Sequence, residues 1–164
     1  MPMLVSGLVA GFIAGLAAGG DWRQLQRLDL KFWPALFVGA IARVVAPFLG
    51  GLALASSVAG IVLVGLVAFA NRALPGALLI AAGSLLNVGV ISINGGMPID
   101  SEALAASGKP APADGLHVIL GPDTRLPLLA DVLLAPVINN IYSVGDVLLA
   151  IGGFWMAFRL LKQR

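Results

Sequence analysis

The chain has 164 residues, of which 59% are hydrophobic and 11% are charged, and its formal net charge is +2. Soluble domains carry about 25% charged residues, so the composition predicts an integral membrane protein forming one domain over residues 1–164. The small net charge disfavours a nucleic-acid partner. The lack of cysteine excludes disulfides, thiol nucleophiles and thiolate metal sites.

Five apolar stretches are long enough to cross a bilayer, since a helix rises about 1.5 Å per residue and the hydrocarbon core is about 30 Å thick. They are residues 3–19, 32–50, 52–70, 74–93 and 144–161. The sequence therefore predicts an all-α polytopic bundle of five transmembrane helices. The Gly50-Gly51 pair predicts a tight turn between the second and third helices, and Pro75 is expected in the first turn of the fourth.

Basic residues predict the direction of the chain. No Lys or Arg precedes the first apolar stretch, which distinguishes it from a cleaved signal peptide and favours an outward N-terminus. With five helices, one side then collects most basic residues, as the positive-inside rule requires. These are Arg23, Arg27, Lys31, Arg72, Arg159, Lys162 and Arg164. We expect an N-out, C-in multipass protein of the bacterial inner (cytoplasmic) membrane.

The first stretch carries a glycine-zipper pattern, with Gly7, Gly11, Gly15 and Gly19 spaced four apart. Such a stripe lies on one helix face and lets another backbone approach closely. Packing inside the bundle is the preferred explanation, because four further helices are available as partners. A homo-oligomer formed through the stripe is the alternative.

Residues 94–140 form the long segment outside the predicted helices, and we expect them to make an extracytoplasmic cap. Asn94-Gly95-Gly96 predicts a turn, residues 101–104 a short helix and residues 117–120 an extended piece. Residues 126–137 are apolar but too short to span. They predict a re-entrant or interfacial half-helix carrying Asp131.

Asp146 stands near the start of the last apolar stretch. Ser143 and Asp146 match the pattern of a helix-capping box, which alone could hold a carboxylate there. Ionisable groups in membrane segments are otherwise functional candidates. Asp131 is the natural companion, because two adjacent carboxyl groups share a proton and can serve as acid and base. Alternatively, Asp131 only anchors its half-helix.

Further polar residues are candidates for lining the same site. Arg43 lies in the second apolar stretch and must pair with a carboxylate, preferably Asp146 or Asp131, or extend to the headgroups. Asn94, Ser143 and the single histidine, His117, are predicted to line the site or bind substrate, and Asn87 either lines it or bridges helices. One histidine with scattered carboxylates does not predict a metal site, and no cofactor motif is present.

Several of these segments carry a resemblance. NGGMPI (94–99), His117, LPLLADV (126–132) and YSVGDVLLAIG (142–152) resemble an uncharacterised domain-of-unknown-function family of small bacterial multipass membrane proteins. Asp131 and Asp146 are also similar in position to the two catalytic aspartates of signal peptidase II, a membrane aspartyl protease. The Asn-x-x-Asp-Arg motif of that family is absent here, and Ser143 replaces its second asparagine.

Two functions follow from these residues. The first is an aspartyl-type, membrane-embedded hydrolase in which Asp131 and Asp146 act on a lipid or lipid-linked substrate. The second is a non-enzymatic membrane protein that binds or transports a lipid, quinone or other small molecule. Membrane lipids are the expected partners in both cases, and the sequence leaves open whether the protein is an enzyme.

Overall fold

The computed structural model describes residues 2–110, 112–135 and 139–162. Five of its six helices follow the five predicted apolar stretches. The helices are α1 (Pro2–Ala17), α2 (Trp33–Val45), α3 (Ala53–Ala70), α4 (Ala77–Asn94), α5 (Ser101–Ala106) and α6 (Val144–Leu161). Short 3-10 turns cover Trp22–Arg27, Ala46–Phe48, Gly50–Leu52 and Pro127–Leu129.

Three helical segments are long and apolar enough to cross a membrane: Gly50–Ala70, α4 and α6. The helical segments Pro2–Ala17 and Trp33–Phe48 are apolar but shorter. The chain is therefore a mostly helical protein with three candidate membrane-spanning helices. The count of five transmembrane helices and the N-out, C-in direction stay predictions.

The helices pack as neighbours in the order α1, α6, α4, α3, α2. Apolar side chains such as Val9, Ile13, Phe37 and Leu85 remain exposed on their outer faces. Exposed apolar surface of this extent is typical of a protein that contacts lipid.

The glycine stripe of α1 packs against α6 of the same chain. A Cβ atom at Gly7 would overlap the backbone of Ala150, and one at Gly11 would overlap the backbone of Phe154. Without side chains at these positions the two helix backbones come close together. Gly19 has a positive φ of 80° and no neighbour within 4 Å of its Cβ position. The homo-oligomer stays a prediction.

The turns at the helix ends are partly as predicted. Gly50 takes a positive φ of 52° at the start of the 3-10 turn Gly50–Leu52, so the predicted turn after the second stretch is confirmed. Pro75 lies before α4, not in its first turn. Gly76, with a φ of 77°, takes the left-handed conformation that ends the preceding turn, and α4 begins only at Ala77.

The cap contains strands, so the all-α prediction was incomplete. β1 (Met97–Ile99) pairs in parallel with β2 (His117–Ile119), and Met97 lies opposite His117. β3 (Leu133–Ala135) pairs antiparallel with β4 (Asn140–Tyr142). The predicted extended piece is confirmed by β2, and the predicted short helix by α5.

The predicted half-helix at 126–137 was wrong. Leu126 takes a positive φ of 55°, and one 3-10 turn precedes β3. The cause is backbone pairing with β1. The Asp131 N–H donates to the Pro98 carbonyl at 2.8 Å, and the Asp100 N–H donates to the Asp131 carbonyl at 3.0 Å. These bonds replace the i to i−4 bonds of a helix. Pro136 and Val137 lie outside the described residues.

Candidate functional site

A cavity of about 310 Å³ lies where the cap meets the helical bundle; we call it the cap cavity. The bundle contributes Arg43 from α2, Asn87 from α4 and Asp146 from α6 to its lining. The cap contributes His117 and Asp131. Apolar side chains supply much of the remaining wall, among them Ile61, Ile91, Met97, Leu116 and Leu149. The two predicted aspartates therefore line one cavity, from opposite elements of the fold.

Asp146 belongs to a closed hydrogen-bonded triangle at the start of α6. Its N–H donates to Ser143 Oγ at 3.0 Å, so the predicted cap of α6 is confirmed. Ser143 Oγ donates to Asn87 Oδ1 at 2.9 Å, and Asn87 Nδ2 donates to Asp146 Oδ1 at 3.1 Å. Gly145 allows this approach, because a Cβ there would overlap the Asn87 amide. The triangle fixes the carboxylate as a hydrogen-bond acceptor.

The substitution Ser143→Ala tests this triangle. The variant loses the helix cap, which is worth about 1 kcal/mol, and leaves the buried Asn87 carbonyl without its donor, which costs about 1–3 kcal/mol. We expect a loss of about 2–4 kcal/mol in the free energy of unfolding, measured by chemical denaturation in detergent. Ser101→Ala, at an exposed position of α5, is the control. Equal midpoints for the two variants would contradict the network.

Asp131 sits at the end of a row of titratable side chains in the cap. Asp114 Oδ2 lies 2.8 Å from His117 Nδ1, and His117 Nε2 lies 4.0 Å from Asp131 Oδ2. Burial tends to raise the pKa of Asp114. Hydrogen bonds from the Leu116 N–H and from His117 outweigh burial and hold that pKa below its usual value. Asp114 therefore remains an acceptor that orients the His117 ring towards Asp131.

Asp131 is only 6% exposed. Its Oδ1 atom has no hydrogen-bond partner among the described residues. Burial, followed by the negative charge of Asp146, raises the pKa of Asp131 to about 7. Near neutral pH the cap therefore presents a carboxyl group that readily takes up and releases a proton.

Arg43 faces the cap cavity without the expected ion pair. Within the described part of the chain, no carboxylate lies within 4.0 Å of its guanidinium, and Nε has no hydrogen-bond partner. Asp146, one of the two expected partners, accepts a hydrogen bond from Asn87 through Oδ1. The Nε–H of Arg43 is therefore available to donate a hydrogen bond to a molecule that enters the cavity.

Of the predicted site residues, Ser143 and Asn94 do not line the cap cavity. Asn94 binds the cap instead. It lies at the end of α4, where Nδ2 donates to the Val90 and Arg125 carbonyls and Oδ1 accepts from the Arg125 N–H. These bonds fasten the cap to α4, and Asn94 does not line the cap cavity.

Sequence reasoning missed Asp114 and Tyr142, of which Tyr142 also lines the cavity. The spacing of three residues between Asp114 and His117 was the available signal for the first. Tyr142 lies in β4 and is 8% exposed. No group of three or more His, Asp or Glu side chains that could hold a metal ion occurs in residues 2–110, 112–135 and 139–162.

Comparison with known proteins identifies a family. No curated protein and no solved structure matches the chain, and the resemblance to signal peptidase II stays a prediction. A family model, described as DUF5317, a family of unknown function, matches residues 27–158. The match covers α2 to α4, the cap and most of α6, and so includes every residue of the cap cavity named above. Because it spans more than half of the sequence, the chain belongs to the DUF5317 family.

Proposed function

We propose that this protein is a membrane-embedded hydrolase of aspartyl type, acting on a lipid or lipid-linked substrate. One observation carries the proposal: two aspartates from different elements line one cavity in unlike environments. Asp131 is buried with a pKa of about 7 and an unpartnered Oδ1. Asp146 accepts a hydrogen bond from Asn87. Carboxyl groups made unlike by their surroundings can divide the roles of acid and base.

The reaction that fits this pair is direct attack of water on an ester or amide carbonyl. Asp146 takes a proton from the water as its oxygen bonds to the carbonyl carbon. Asp131 gives its proton to the leaving oxygen or nitrogen as the old bond to carbon breaks. The products are a carboxylic acid and an alcohol or amine. Transfer of a proton from Asp146 back to Asp131 restores the starting state.

Arg43 and His117 have supporting roles in the proposal. The unpartnered Nε of Arg43 is a donor for the carbonyl oxygen, where negative charge develops during attack. His117 is oriented by Asp114 and lies next to Asp131, so protons can pass to and from Asp131 through its ring. The apolar wall of the cavity suits the hydrocarbon part of a lipid.

The alternative, a non-enzymatic protein that binds or transports a small molecule, is favoured by one observation. Asp146 already has a structural role, because its N–H donates to Ser143 Oγ and its side chain accepts a hydrogen bond from Asn87. In that case the cavity would hold a ligand without chemistry.

Labelled water separates the two functions without knowledge of the substrate. The protein is placed in vesicles of a bacterial lipid extract made up in H₂¹⁸O, and the lipids are analysed by mass spectrometry. We expect ¹⁸O in newly formed carboxylic acids above the level of protein-free vesicles. Asp131→Asn and Asp146→Asn should each lower labelling by about 10²–10⁴-fold, the usual contribution of a general acid or base.

Asp123→Asn is the matched control, because it removes an exposed carboxylate of the cap and should leave labelling unchanged. Folding of every variant is checked by size-exclusion chromatography and circular dichroism. Two results would overturn the hydrolase and favour the binding protein. One is no labelling by the wild type, and the other is labelling by the folded Asp131→Asn and Asp146→Asn variants at the wild-type level.

A further inference from the structure

A second concave surface lies on the outside of the bundle, away from the cap cavity. We call it the α3–α4 groove. It has a volume of about 370 Å³ and is lined by residues that include Val62, Leu66 and Phe69 of α3 and Leu78, Leu85 and Val88 of α4. Leu66 is 60% exposed and Leu85 is 72% exposed. The groove is therefore open to whatever surrounds the helices.

The dimensions of the groove match one leaflet of a bilayer. Its lining runs from residue 62 to 69 on α3 and from 78 to 88 on α4, which corresponds to about 10–15 Å of helix axis. Half of the hydrocarbon core is about 15 Å thick. Both helices are long and apolar enough to cross that core. An acyl chain of one leaflet would therefore fill the groove along its length.

One end of the groove carries a positive charge. Arg72 lies in the turn between α3 and α4, and its guanidinium carbon is 5.4 Å from the centroid of the Phe69 ring. Arg72 is exposed, and no carboxylate of the described residues lies within 4.0 Å of it. This end of the bundle is opposite the cap, because α4 runs from it towards β1. A cation just beyond the ends of two apolar helices lies at the level of the lipid phosphates and can pair with one of them.

The floor of the groove holds one polar group. Ser84 is 2% exposed, and its Oγ has no hydrogen-bond partner among residues 2–110, 112–135 and 139–162. Ser84 packs beside Gly65, which lies four residues, or about 6 Å, from Phe69 along α3. Ser84 lies six residues, or about 9 Å, along α4 from Leu78, so it is at the level of the acyl chain and not of the headgroup.

We propose that the α3–α4 groove is a binding site for an anionic phospholipid, with its phosphate at Arg72 and an acyl chain along Leu66 and Leu85. The negative headgroup pairs with Arg72 at the groove's end, and the chain covers apolar surface that neighbouring helices leave open. This site is separate from the cap cavity and does not depend on the hydrolase.

Native mass spectrometry tests the site directly. The purified protein is exchanged into micelles containing equal amounts of phosphatidylglycerol and phosphatidylcholine with the same acyl chains. We expect the wild type to retain phosphatidylglycerol about fivefold better, as one surface cation allows. Arg72→Gln should abolish this preference, and Arg72→Lys should keep most of it. Arg23→Gln, which removes an exposed cation elsewhere, should leave the preference unchanged.

A second pair of variants tests the acyl-chain part of the groove. Ala82→Trp fills it and should lower retention of both lipids. Ala59→Trp places the same side chain on an exposed position of α3 outside the groove and should have no effect. Equal selectivity in Arg72→Gln and Arg23→Gln would overturn the site. So would a loss of dimer in Ala82→Trp without a loss of lipid, since the occupant would then be a second copy.

Discussion

Asp131→Asn should make the protein more stable at pH 8 and remove much of its pH dependence between pH 4 and 7. The pKa of Asp131 is raised from 3.8 to about 7 in the folded protein, by burial and then by the charge of Asp146. Arg43, Lys109, His117 and Tyr142 are the other charged or titratable side chains that line the same cavity. Between the two pKa values the folded protein holds a proton that the unfolded chain releases, so stability falls as the pH rises through this window.

The size of the effect follows from the same linkage. Each tenfold difference in proton affinity is worth about 1.4 kcal/mol, so the wild type loses at most about 4 kcal/mol across the window. Asparagine is neutral at every pH and has nearly the shape of the protonated acid. The variant and the wild type should therefore have similar melting temperatures near pH 4, and the variant should melt higher at pH 8.

Thermal unfolding in detergent at intervals from pH 4 to pH 8 measures this difference. Comparison with the wild type at each pH cancels the titration of the groups that do not interact with Asp131. Asp123→Asn, at an exposed turn of the cap, should shift the curve little at any pH. Parallel curves for wild type and Asp131→Asn would mean that Asp131 ionises as an ordinary aspartate, and the proposed acid would be lost with it.

Gly11→Ala should destabilise the bundle by about 3 kcal/mol, the upper part of the usual range for overpacking a core. Its new Cβ would overlap the Phe154 carbonyl and lie 2.8 Å from the Phe154 Cα. Both neighbours are backbone atoms, so α1 and α6 must move apart as whole helices. The loss is measured as a lower denaturation midpoint in detergent.

Gly89→Ala is the matched control for this substitution. It is also a helical glycine, on α4, but its Cβ position has no neighbour within 4 Å. There the gain in helix propensity, about 0.5–1 kcal/mol, should raise stability slightly. The two variants thus have opposite expected signs. An equal loss of stability in both variants would show that the contact between α1 and α6 is not the cause of the loss in Gly11→Ala.

The helices could be predicted because their signals are local. Apolar runs of sufficient length gave five of the six helices, and Ser143 with Asp146 marked the start of α6, as the structure confirms. The path of residues 126–135 could not be predicted in this way. Its apolar composition suits a helix, but its backbone bonds go to Pro98 and Asp100, about thirty residues away, and no local pattern reports such a partner.

The candidate site divides along the same line. Asp131 and Asp146 stood out as carboxylates in apolar sequence, and both line the cap cavity. The contact between His117 and Asp131 depends on the pairing of β1 with β2 and on the bridge between Ile99 and Asp131. Arg43 was expected to form an ion pair. Within the described residues it does not, although Asp131 and Asp146 line the same cavity, because an ion pair depends on the distance between elements and no local pattern reports that distance.

The bridge between Ile99 and Asp131 has a mechanical consequence. It ties Asp131 to the strand pair that carries His117, whereas Asp146 and Arg43 are built into the helices. In the proposed hydrolase, any movement of this strand pair relative to the helices would change the distance between Asp131 and Asp146. Proton transfer by both aspartates would then require the strand pair to be packed against the bundle.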